Sequence, residues 1–318
     1  MKKILLTGAA GFIGANTVKH LLAQGYEVVG IDNMNDYYDP GLKYHRIQAL
    51  KSNMLQFIEG DIEDYDLLDS LFETYKFDAV INLAARAGVR YSMENPYIYV
   101  TTNLTGTLNL VELMARHKVG KLVIASTSSL YAGQKMPFVE SLPVNEPISP
   151  YAASKKAAEA MAYTYHYQYD LDVSVLRYFT VYGPASRPDM GIYRFVDWIQ
   201  REQPIQLFGD GEQSRDFTYV DDISLGTIKA LKPVGYEVIN LGGGNRPITI
   251  NHIINQIGEN LGKKPIIEYL PFNKADMKST WADIGKARTL LGWEPQVSIE
   301  EGLRRTVEWH LAYKSISA

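Results

Sequence analysis

Tyr151 and Lys155 stand four residues apart, and their side chains are suited to moving a proton. They follow Ser149-Pro150 and open a stretch of good helix formers, so the spacing predicts that both lie on one face of a helix. An ammonium beside a phenol favours the phenolate and lowers the pKa of the tyrosine toward neutral pH. The same spacing also occurs on solvated helix surfaces, so the rest of the chain must decide between the two interpretations.

A cluster of hydroxyl groups precedes this pair. The apolar run from Lys121 to Ala125 predicts a buried strand and leads directly into Ser126-Thr127-Ser128-Ser129. Ligands of open parallel sheets bind beyond the carboxyl ends of the strands. We therefore expect these hydroxyls to lie where a substrate binds, although a Ser/Thr-rich turn without a ligand would have the same sequence.

A glycine-rich loop, Gly8-Ala9-Ala10-Gly11-Phe12-Ile13-Gly14, joins the first apolar run to a helical pattern. Its glycines permit a tight turn, close approach of a pyrophosphate and close packing of helix on strand, and the helix N-terminus adds N–H donors. A second apolar run ends at Asp32, where a carboxylate accepts hydrogen bonds from ribose hydroxyls and repels a 2′-phosphate. These features predict that the chain binds NAD rather than NADP.

Other polar residues give weaker or negative indications. Asp61 follows the third apolar run, and it either caps the next helix or contacts the adenine. The chain has no cysteine, which excludes disulfides, a thiolate nucleophile and Cys-ligated metals. Its six histidines are dispersed without ligand spacing, so we predict no metal site.

The pattern of apolar runs predicts an α/β fold of the Rossmann type, with a doubly wound parallel sheet. The runs are Lys3 to Thr7, Glu27 to Asp32, Leu55 to Glu59, Ala79 to Ala84, Lys121 to Ser126 and Val173 to Arg177. After Tyr182 the chain is richer in Gly and Pro, which favours a smaller, mixed α/β C-terminal substrate lobe. We expect an NAD-binding domain at 1–182, with a return of the chain near 216–245, and a second lobe at 183–318.

The overall composition favours small-molecule partners. A formal net charge of -4 and a pI near 5.9 give no basic surface for nucleic acid or anionic membranes. No apolar stretch approaches the roughly 20 residues that cross a bilayer. We therefore expect a soluble, cytoplasmic protein with no nucleic-acid or membrane partner.

These motifs together resemble the extended short-chain dehydrogenase/reductase superfamily and, within it, the nucleotide-sugar 4-epimerases. Further matching segments are Leu83-Ala84-Ala85, Asn103 within Thr102–Thr107, Arg177-Tyr178-Phe179 and Gly209–Phe217. The resemblance implies that Tyr151 is the base, that Lys155 also holds the nicotinamide ribose and that Thr127 hydrogen-bonds the reacting hydroxyl. The NAD-binding residues that it implies are Gly8, Gly11, Phe12, Ile13, Gly14, Asp32, Asn33, Asp61, Ile62, Leu83, Ala84, Ala85, Asn103, Ser126, Tyr151, Lys155 and Tyr178.

The residues after Thr127 distinguish the reactions of this family, which all begin by oxidising a sugar 4-hydroxyl to a 4-keto group. Dehydratases carry Asp-Glu there, and uronate decarboxylases typically keep the glutamate, whereas this chain has Ser128 and Ser129. The resemblance therefore implies that the hydride returns to the opposite face of the sugar. That reaction is a 4-epimerisation, in which NAD stays bound.

The resemblance also implies a UDP-sugar as the substrate. Arg215 would contact the diphosphate, and Arg187 is a further candidate for a phosphate or carboxylate. Gln206 and Phe208 would lie beside the uracil, and Asp276 would lie near the nucleotide ribose.

Two features resemble the glucuronate-specific branch. Thr180 stands where UDP-galactose 4-epimerases commonly carry asparagine, and the segment 87–92 (Ala-Gly-Val-Arg-Tyr-Ser) includes a candidate substrate residue, Arg90. Neutral hydroxyls could hold a C6 carboxylate, and those available are Thr127, Ser128, Ser129 and Thr180. Arg86 stands where that branch more often has glutamine, and the sequence assigns it no role.

The predicted reaction is thus the conversion of UDP-glucuronate to UDP-galacturonate. The alternatives are a UDP-glucose/UDP-galactose 4-epimerase, a UDP-glucuronate decarboxylase and a non-catalytic NAD-binding protein. The resemblance further implies a homodimer joined through a four-helix contact. Its halves would be the segment from Asn103 to Arg116 and the helix that carries Tyr163, Tyr165, Tyr167 and Tyr169, although these aromatics could equally pack against the sheet.

Overall fold

Strands and helices alternate along most of the chain. The fold comes from a computed structural model, which describes residues 2–244, 247–272 and 277–317. The strands are β1 (Lys3–Thr7), β2 (Glu27–Asp32), β3 (Leu55–Glu59), β4 (Ala79–Asn82), β5 (Lys121–Thr127), β6 (Asp172–Tyr178), β7 (Thr180–Tyr182), β8 (Ile205–Phe208), β9 (Ser214–Arg215), β10 (Phe217–Tyr219), β11 (Tyr236–Leu241), β12 (Ile248–Thr249) and β13 (Ile267–Leu270). The helices are α1 (Phe12–Ala23), α2 (Pro40–Gln48), α3 (Tyr65–Thr74), α4 (Val89–Glu94), α5 (Tyr97–Tyr99), α6 (Gly106–His117), α7 (Pro150–Tyr169), α8 (Gly191–Gln200), α9 (Val220–Lys229), α10 (Ile250–Leu261) and α11 (Ile299–Ser317). A π-helical segment, Val100–Thr105, leads into α6, and a 3₁₀ turn, Ser128–Tyr131, follows β5.

Seven parallel strands form the central sheet, in the order β3-β2-β1-β4-β5-β6-β11. The sequences of its strands are nearly all apolar because helices cover both faces. Winding reverses between β1 and β4, which opens a crevice at the carboxyl ends of the strands. The predicted Rossmann-type sheet is therefore confirmed.

Two hydrophobic clusters cover the two faces of this sheet. Successive residues of β1 alternate between them, with Ile4 and Leu6 in one cluster and Leu5 in the other, all almost fully buried. Helices α1 and α9 pack together on the first face, and α3, α6 and α7 pack side by side on the second. The helix that carries Tyr151 and Lys155 is thus held firmly against the sheet.

A smaller lobe follows β7 and has a hydrophobic core of its own. Val196 on α8, Ile253 on α10 and Leu303 on α11 meet in this core. Three two-stranded sheets complete it, formed by β7 with β10, β8 with β13 and β9 with β12. Between these elements, β11 enters the large sheet beside β6. The residue limits of the two lobes stay a prediction.

Helix length and polarity bear on membrane insertion. Over the three described ranges, no helix combines the length and the apolar character needed to cross a membrane.

Candidate active site

A cavity of about 420 Å³ opens at the carboxyl ends of the central strands. One wall is the Gly8–Gly14 loop, the floor includes Thr127 and Lys155, and the far wall includes Thr180 and Arg187 beyond β6. Cavities of this size at the reversal point of a parallel sheet hold the ligands of α/β proteins. The topology therefore brings the predicted cofactor loop and the predicted proton-transfer pair to one place.

The loop between β1 and α1 has the shape that its glycines predict. Gly8 has a positive φ of 70°, and a Cβ on Gly14 would lie 1.9 Å from the carbonyl oxygen of Gly8. No side chain caps the N-terminus of α1, and its first turn holds no acidic residue. This N-terminus is therefore suited to an anionic group such as a pyrophosphate.

Asp32 is held in place at the end of β2 and lines the cavity. Its carboxylate accepts hydrogen bonds from the backbone N–H groups of Ala10 (3.1 Å) and Met34 (3.0 Å), and Lys43 Nζ lies 3.3 Å from Oδ1. Burial lowers the pKa of Lys43, although the Asp32 charge acts in the opposite direction. Sequence patterns did not indicate this lysine, because only the packing of α2 brings it to the carboxylate.

Asp61 lines the same cavity but does not cap α3. Its Oδ2 accepts a hydrogen bond from Asn33 Nδ2 at 2.7 Å. The cap of α3 is Asp64, whose carboxylate accepts the N–H of Leu67 at 3.0 Å. Capping by Asp61, one of its two predicted roles, is therefore wrong, because the helix begins one turn later.

Asn103 supports the wall of the cavity instead of lining it. Its side-chain amide accepts the N–H of Arg86 (2.8 Å) and donates to the carbonyl of Arg86 (3.0 Å) and to Ser154 Oγ (2.9 Å). These bonds fix the backbone of Arg86, which does line the cavity. The buried Nε of Arg86 has no hydrogen-bond partner among the described residues.

Helix α7 places the proton-transfer pair at the cavity floor. It begins at Pro150, and Ser149 caps it by accepting the N–H of Ala152 at 3.2 Å. Tyr151 and Lys155 therefore fall in the first two turns, and both line the cavity. The early position matters because the later turns of α7 pack against the sheet and do not line the cavity.

The pKa values of this pair differ from the sequence-based expectation. Burial raises the pKa of Tyr151, and its hydrogen bond with Thr127 and the charge of Arg187 oppose this rise only in part. Burial lowers the pKa of Lys155 to about 8, against the influence of Glu159. The pKa of Tyr151 is thus raised, and Lys155 is not among the groups that lower it.

Hydroxyl groups occupy the position where family dehydratases carry acids. Ser128, Ser129 and Thr180 line the first cavity, and they also line an adjoining cavity of about 180 Å³. Arg215 lines this second cavity, and its guanidinium donates to the carbonyl of Ser214 at 2.8 Å. A ligand that spans the two cavities would therefore meet these three neutral hydroxyls and the guanidinium of Arg215.

Arg187 is held by a carboxylate at the far wall. Its Nε and Nη2 donate to the two oxygens of Asp189 at 2.9 and 2.7 Å, and the guanidinium lies 5.9 Å from the ring centre of Tyr37. Burial would raise the pKa of Asp189, but the Arg187 guanidinium offsets this and the pKa is lowered overall. The charge that Arg187 presents to the cavity is therefore largely balanced.

Two further predicted substrate residues, Gln206 and Phe208, lie on β8 of the smaller lobe. Arg90 stacks 4.4 Å from the ring centre of Phe208. Gln206 is exposed on β8. Asp276 falls outside the described residues.

Most of the predicted site converges on the 420 Å³ cavity. The predicted residues that line it are Gly8, Gly11, Phe12, Ile13, Gly14, Asp32, Asn33, Asp61, Ile62, Leu83, Ala84, Ala85, Ser126, Thr127, Ser128, Ser129, Tyr151, Lys155, Tyr178, Thr180 and Arg187. Sequence reasoning missed Lys43 and three tyrosines, Tyr37, Tyr38 and Tyr99. The Tyr37-Tyr38 pair in an otherwise polar loop was the one available signal for them.

No metal centre is found in the part of the chain that the structure describes. There, no group of three or more His, Cys, Asp or Glu side chains is arranged to hold an ion.

Comparison with protein families identifies the chain. The family described as GDP-mannose 4,6 dehydratase matches residues 5–306, which is nearly the whole length. The chain belongs to this family. The resemblance to extended short-chain dehydrogenases/reductases is thereby confirmed.

Similar proteins include several with an assigned reaction. A UDP-glucuronate 4-epimerase from Thermodesulfobacterium geofontis (strain OPF15) is 61% identical over 306 residues, which cover 96% of this chain and 95% of that protein. The solved structure of UDP-glucuronic acid 4-epimerase from Bacillus cereus, in complex with UDP-glucuronic acid and NAD, has a TM-score of 0.92 at 39% identity and covers 98% of this chain and 99% of its own. UDP-glucose 4-epimerase from Thermotoga maritima, with UDP-glucose, has a TM-score of 0.87 at 34% identity and covers 99% of both chains.

Proposed function

We propose that this chain is an NAD-dependent UDP-glucuronate 4-epimerase, an isomerase that interconverts UDP-glucuronate and UDP-galacturonate through a 4-keto sugar. One observation carries the proposal. The cavity that joins the Gly8–Gly14 loop to Tyr151 and Lys155 is lined by the hydroxyls of Ser128 and Ser129. The 61% identity with a UDP-glucuronate 4-epimerase supports the same reaction.

The residues around the cavity fit NAD. Bound there, NAD would supply the acceptor for the C4 hydride of the sugar and the donor for its return to the other face. The uncapped N-terminus of α1 suits the pyrophosphate, and the Asp32 carboxylate suits the ribose hydroxyls. Lys155 and Tyr178 would lie at the nicotinamide end. A solved structure with a TM-score of 0.92 holds NAD.

Proton transfer belongs to Tyr151 in this proposal. Its hydroxyl is bonded to Thr127, which would orient the sugar 4-hydroxyl toward it. Tyr151 accepts the proton of that hydroxyl and returns it when the 4-keto group is reduced. Lys155 does not lower the pKa of Tyr151 at rest, and its proposed role is to bring a positive charge to the cavity in which the phenolate forms. Both the hydride and the proton are returned to the sugar within each cycle, so no external oxidant is consumed.

The polar groups around the sugar support a uronic acid. A C6 carboxylate needs several donors, and Ser128, Ser129 and Thr180 can supply neutral ones. Neutral donors hold the carboxylate without supplying an acid that would promote decarboxylation of the sugar. Because Asp189 balances the charge of Arg187, the keto sugar is not locked in one orientation and can rotate in the cavity.

The nucleotide is proposed to lie over the smaller lobe. Arg215 would contact the diphosphate, because it lines the cavity that adjoins Ser128 and Ser129. Gln206 and Phe208 would lie beside the uracil. Asp276 would lie near the nucleotide ribose.

A second candidate is a UDP-glucose/UDP-galactose 4-epimerase. It is favoured by the TM-score of 0.87 with a UDP-glucose 4-epimerase from Thermotoga maritima. The two candidates share the base and the cofactor, and they differ at the group attached to C5.

The deciding experiment is incubation of the purified protein with UDP-glucuronate and, separately, with UDP-glucose, with no cofactor added. Products are followed by chromatography and proton NMR. We expect UDP-galacturonate without release of carbon dioxide. Conversion of UDP-glucose alone would select the second candidate, and formation of UDP-xylose would mean that Ser129 does not prevent decarboxylation.

Three further proposals concern the division into domains, the cellular location and the oligomeric state. The NAD-binding domain would comprise 1–182 with a return near 216–245, and 183–318 would form the nucleotide-sugar-binding lobe. This division is supported by the pairing of β11 with β6.

A cytoplasmic location is supported by the lack of cysteine, since the chain needs no oxidising compartment.

A homodimer is the third of these proposals. It is supported by three exposed tyrosines on α7. The exposed fraction is 50% for Tyr163, 72% for Tyr167 and 60% for Tyr169. We expect sedimentation of the wild-type protein as a dimer. Tyr167→Glu should shift it toward the monomer, and a wild-type monomer would overturn the proposal.

A further inference from the structure

A buried ion pair lies one helical turn beyond Lys155. Glu159 follows Lys155 by four residues on α7, so the two side chains project from the same face of the helix. The Glu159 side chain is only 2% exposed. Arg177 on β6 donates to both of its oxygens, from Nε at 2.9 Å and from Nη2 at 2.8 Å. This two-bonded geometry makes a strong and directional pair.

The same carboxylate is also bonded to β5. Ser126 Oγ donates to Glu159 Oε1 at 2.7 Å, and Ser126 directly precedes Thr127. Glu159 therefore connects the helix that carries Tyr151 and Lys155 with the two strands beside it. A shift of α7 along the sheet would break all of these bonds.

Arg177 is anchored on its far side as well. Its Nη1 donates to Tyr131 Oη at 2.9 Å, and Tyr131 Oη donates to Asn240 Oδ1 at 2.8 Å. Arg177, Tyr131 and Asn240 are almost fully buried. The guanidinium therefore cannot leave the carboxylate without losing further buried bonds, and Glu159 is held in one position.

The charge of Glu159 acts on Lys155. The Lys155 side chain is almost fully buried, and burial lowers its pKa to about 8. Glu159 is the group whose charge opposes this effect. An ammonium in a dry site loses its proton readily unless an opposite charge lies near it. The carboxylate thus retains the charged form of Lys155 at neutral pH.

Other elements packed against this part of α7 also bring charged or titratable groups. They include Arg177 and Tyr178 on β6, Tyr131 in the 3₁₀ turn, Tyr99 on α5, Arg90 and Tyr91 on α4, Glu112 on α6, and Lys156 on α7 itself. Tyr236 on β11 belongs to the same set, and its Oη donates to the backbone carbonyl of Glu159 at 3.2 Å. The two cations closest to Glu159 in this set, Arg177 and Lys156, would only disfavour a charged Lys155.

We propose that Glu159 is a positioning residue for catalysis, whose buried carboxylate keeps Lys155 charged beside Tyr151 and fixes α7 relative to Thr127. The kinetic part of this inference rests on the proposed function. The protonation of Lys155 does not, since it can be measured without any turnover.

The direct test is an NMR titration of Lys155 in the intact, NAD-loaded protein. The signal is the ε-carbon of carbon-13-labelled lysine, assigned by its disappearance in Lys155→Arg. In Glu159→Gln we expect the pKa of Lys155 to fall by about one unit, because the amide keeps the shape and loses the charge. The alkaline limb of the kcat profile with UDP-glucuronate should move to lower pH by about the same amount, with KM changed by less than about twofold.

A second variant separates the effect on the pKa of Lys155 from an effect of lost stability. Glu159→Gln leaves Arg177 buried without its partner, so Glu159→Gln/Arg177→Gln removes both charges. We expect its unfolding temperature to lie closer to that of the wild type. Its Lys155 should still titrate below the wild-type value.

The matched control is a different, largely buried ion pair, which joins β5 to β6 and does not involve α7. Lys121 on β5 hydrogen-bonds to Asp172 and to Ser174 (2.8 Å) on β6, at the other end of the sheet. Asp172→Asn should lower the unfolding temperature but leave the pKa of Lys155 and the alkaline limb in place.

Two results would overturn the inference. One is a Lys155 pKa that is the same in Glu159→Gln as in the wild type. The other is an equal shift in Asp172→Asn, which would make the effect a general consequence of lost stability. If Lys155 shifts as expected but no variant acts on UDP-glucuronate, the proposed reaction fails while the role of Glu159 toward Lys155 stands.

Discussion

The two sides of the cavity hold their polar groups in different ways. On the sheet side, Thr127 ends β5, and Tyr151 and Lys155 lie in the first two turns of α7. Thr127 and Lys155 are almost fully buried, and Tyr151 is partly buried. On the small-lobe side, Arg187 follows β7 in a loop, is partly exposed and is held by Asp189 two residues away. Regular elements thus carry the proton-transfer groups, whereas a loop carries Arg187.

This difference matches two different tasks. A group that exchanges a proton must be held within a fraction of an ångström, and buried helices and strands provide that precision. A group that holds a sugar through a change of orientation must accept two positions, which loop-mounted donors allow. We infer that the sheet side performs the chemistry and that the small-lobe side selects the substrate.

The largest effect should follow a change on the sheet side. Tyr151→Phe removes the proposed base and should lower kcat for UDP-glucuronate by about 10³-fold, with little change in the unfolding temperature. The control is Tyr99→Phe, whose ring lies edge-on to Tyr151 at 6.1 Å and whose hydroxyl binds backbone carbonyls. More than a tenth of wild-type activity in Tyr151→Phe would place the base elsewhere.

The free energy of unfolding should depend on pH through a buried histidine of the smaller lobe. His310 on α11 is buried against α8, its Nε2 lies 3.5 Å from Asp197 Oδ1, and burial lowers its pKa to about 4. Between pH 6.5 and 4 the unfolded chain binds a proton that the folded chain does not. The free energy of unfolding should therefore fall by about 3 kcal/mol as the pH drops through this range.

Denaturant unfolding of the wild type and of His310→Phe at several pH values checks this expectation. Burial raises the pKa of Asp216 to about 6, so that group gives stability at low pH that is lost as the pH rises through 6. The difference between the two proteins cancels the contribution of Asp216. An equally steep acid limb in His310→Phe would refute the assignment.

A smaller effect should follow a change on the small-lobe side. Asp189→Asn leaves the charge of Arg187 unbalanced, so the uronate should be held more tightly in one orientation. We expect KM to fall by about threefold and kcat by about tenfold. Glu202→Gln, which alters a surface pair with Lys263, is the control and should change neither value. An unchanged kcat in Asp189→Asn would mean that the two sides do not divide the work as inferred.

The smallest effect should appear as a change of preference. Thr180→Asn introduces the residue that is common in UDP-galactose 4-epimerases. The ratio of kcat/KM for UDP-glucuronate over UDP-glucose should fall by about fivefold, because one neutral donor to the carboxylate is altered. Competition between the two substrates measures the ratio directly. A ratio that stays constant would remove Thr180 from the selecting groups.

Much of the sheet side could be predicted from the sequence. The strands, the Gly8–Gly14 loop, and the shared helix face of Tyr151 and Lys155 depend on periodicity and on short spacings along the chain. Asp32 could be found because it ends a predicted strand. These features are local, so the sequence by itself determined them.

The tertiary structure alone decided which distant residues meet. The order of the strands brings Arg177 to Glu159, and the packing of α2 brings Lys43 to Asp32. It also decided the raised pKa of Tyr151, which the sequence predicted to be lowered. A pKa depends on burial and on every nearby charge, and these are sums over neighbours that lie far apart in the chain.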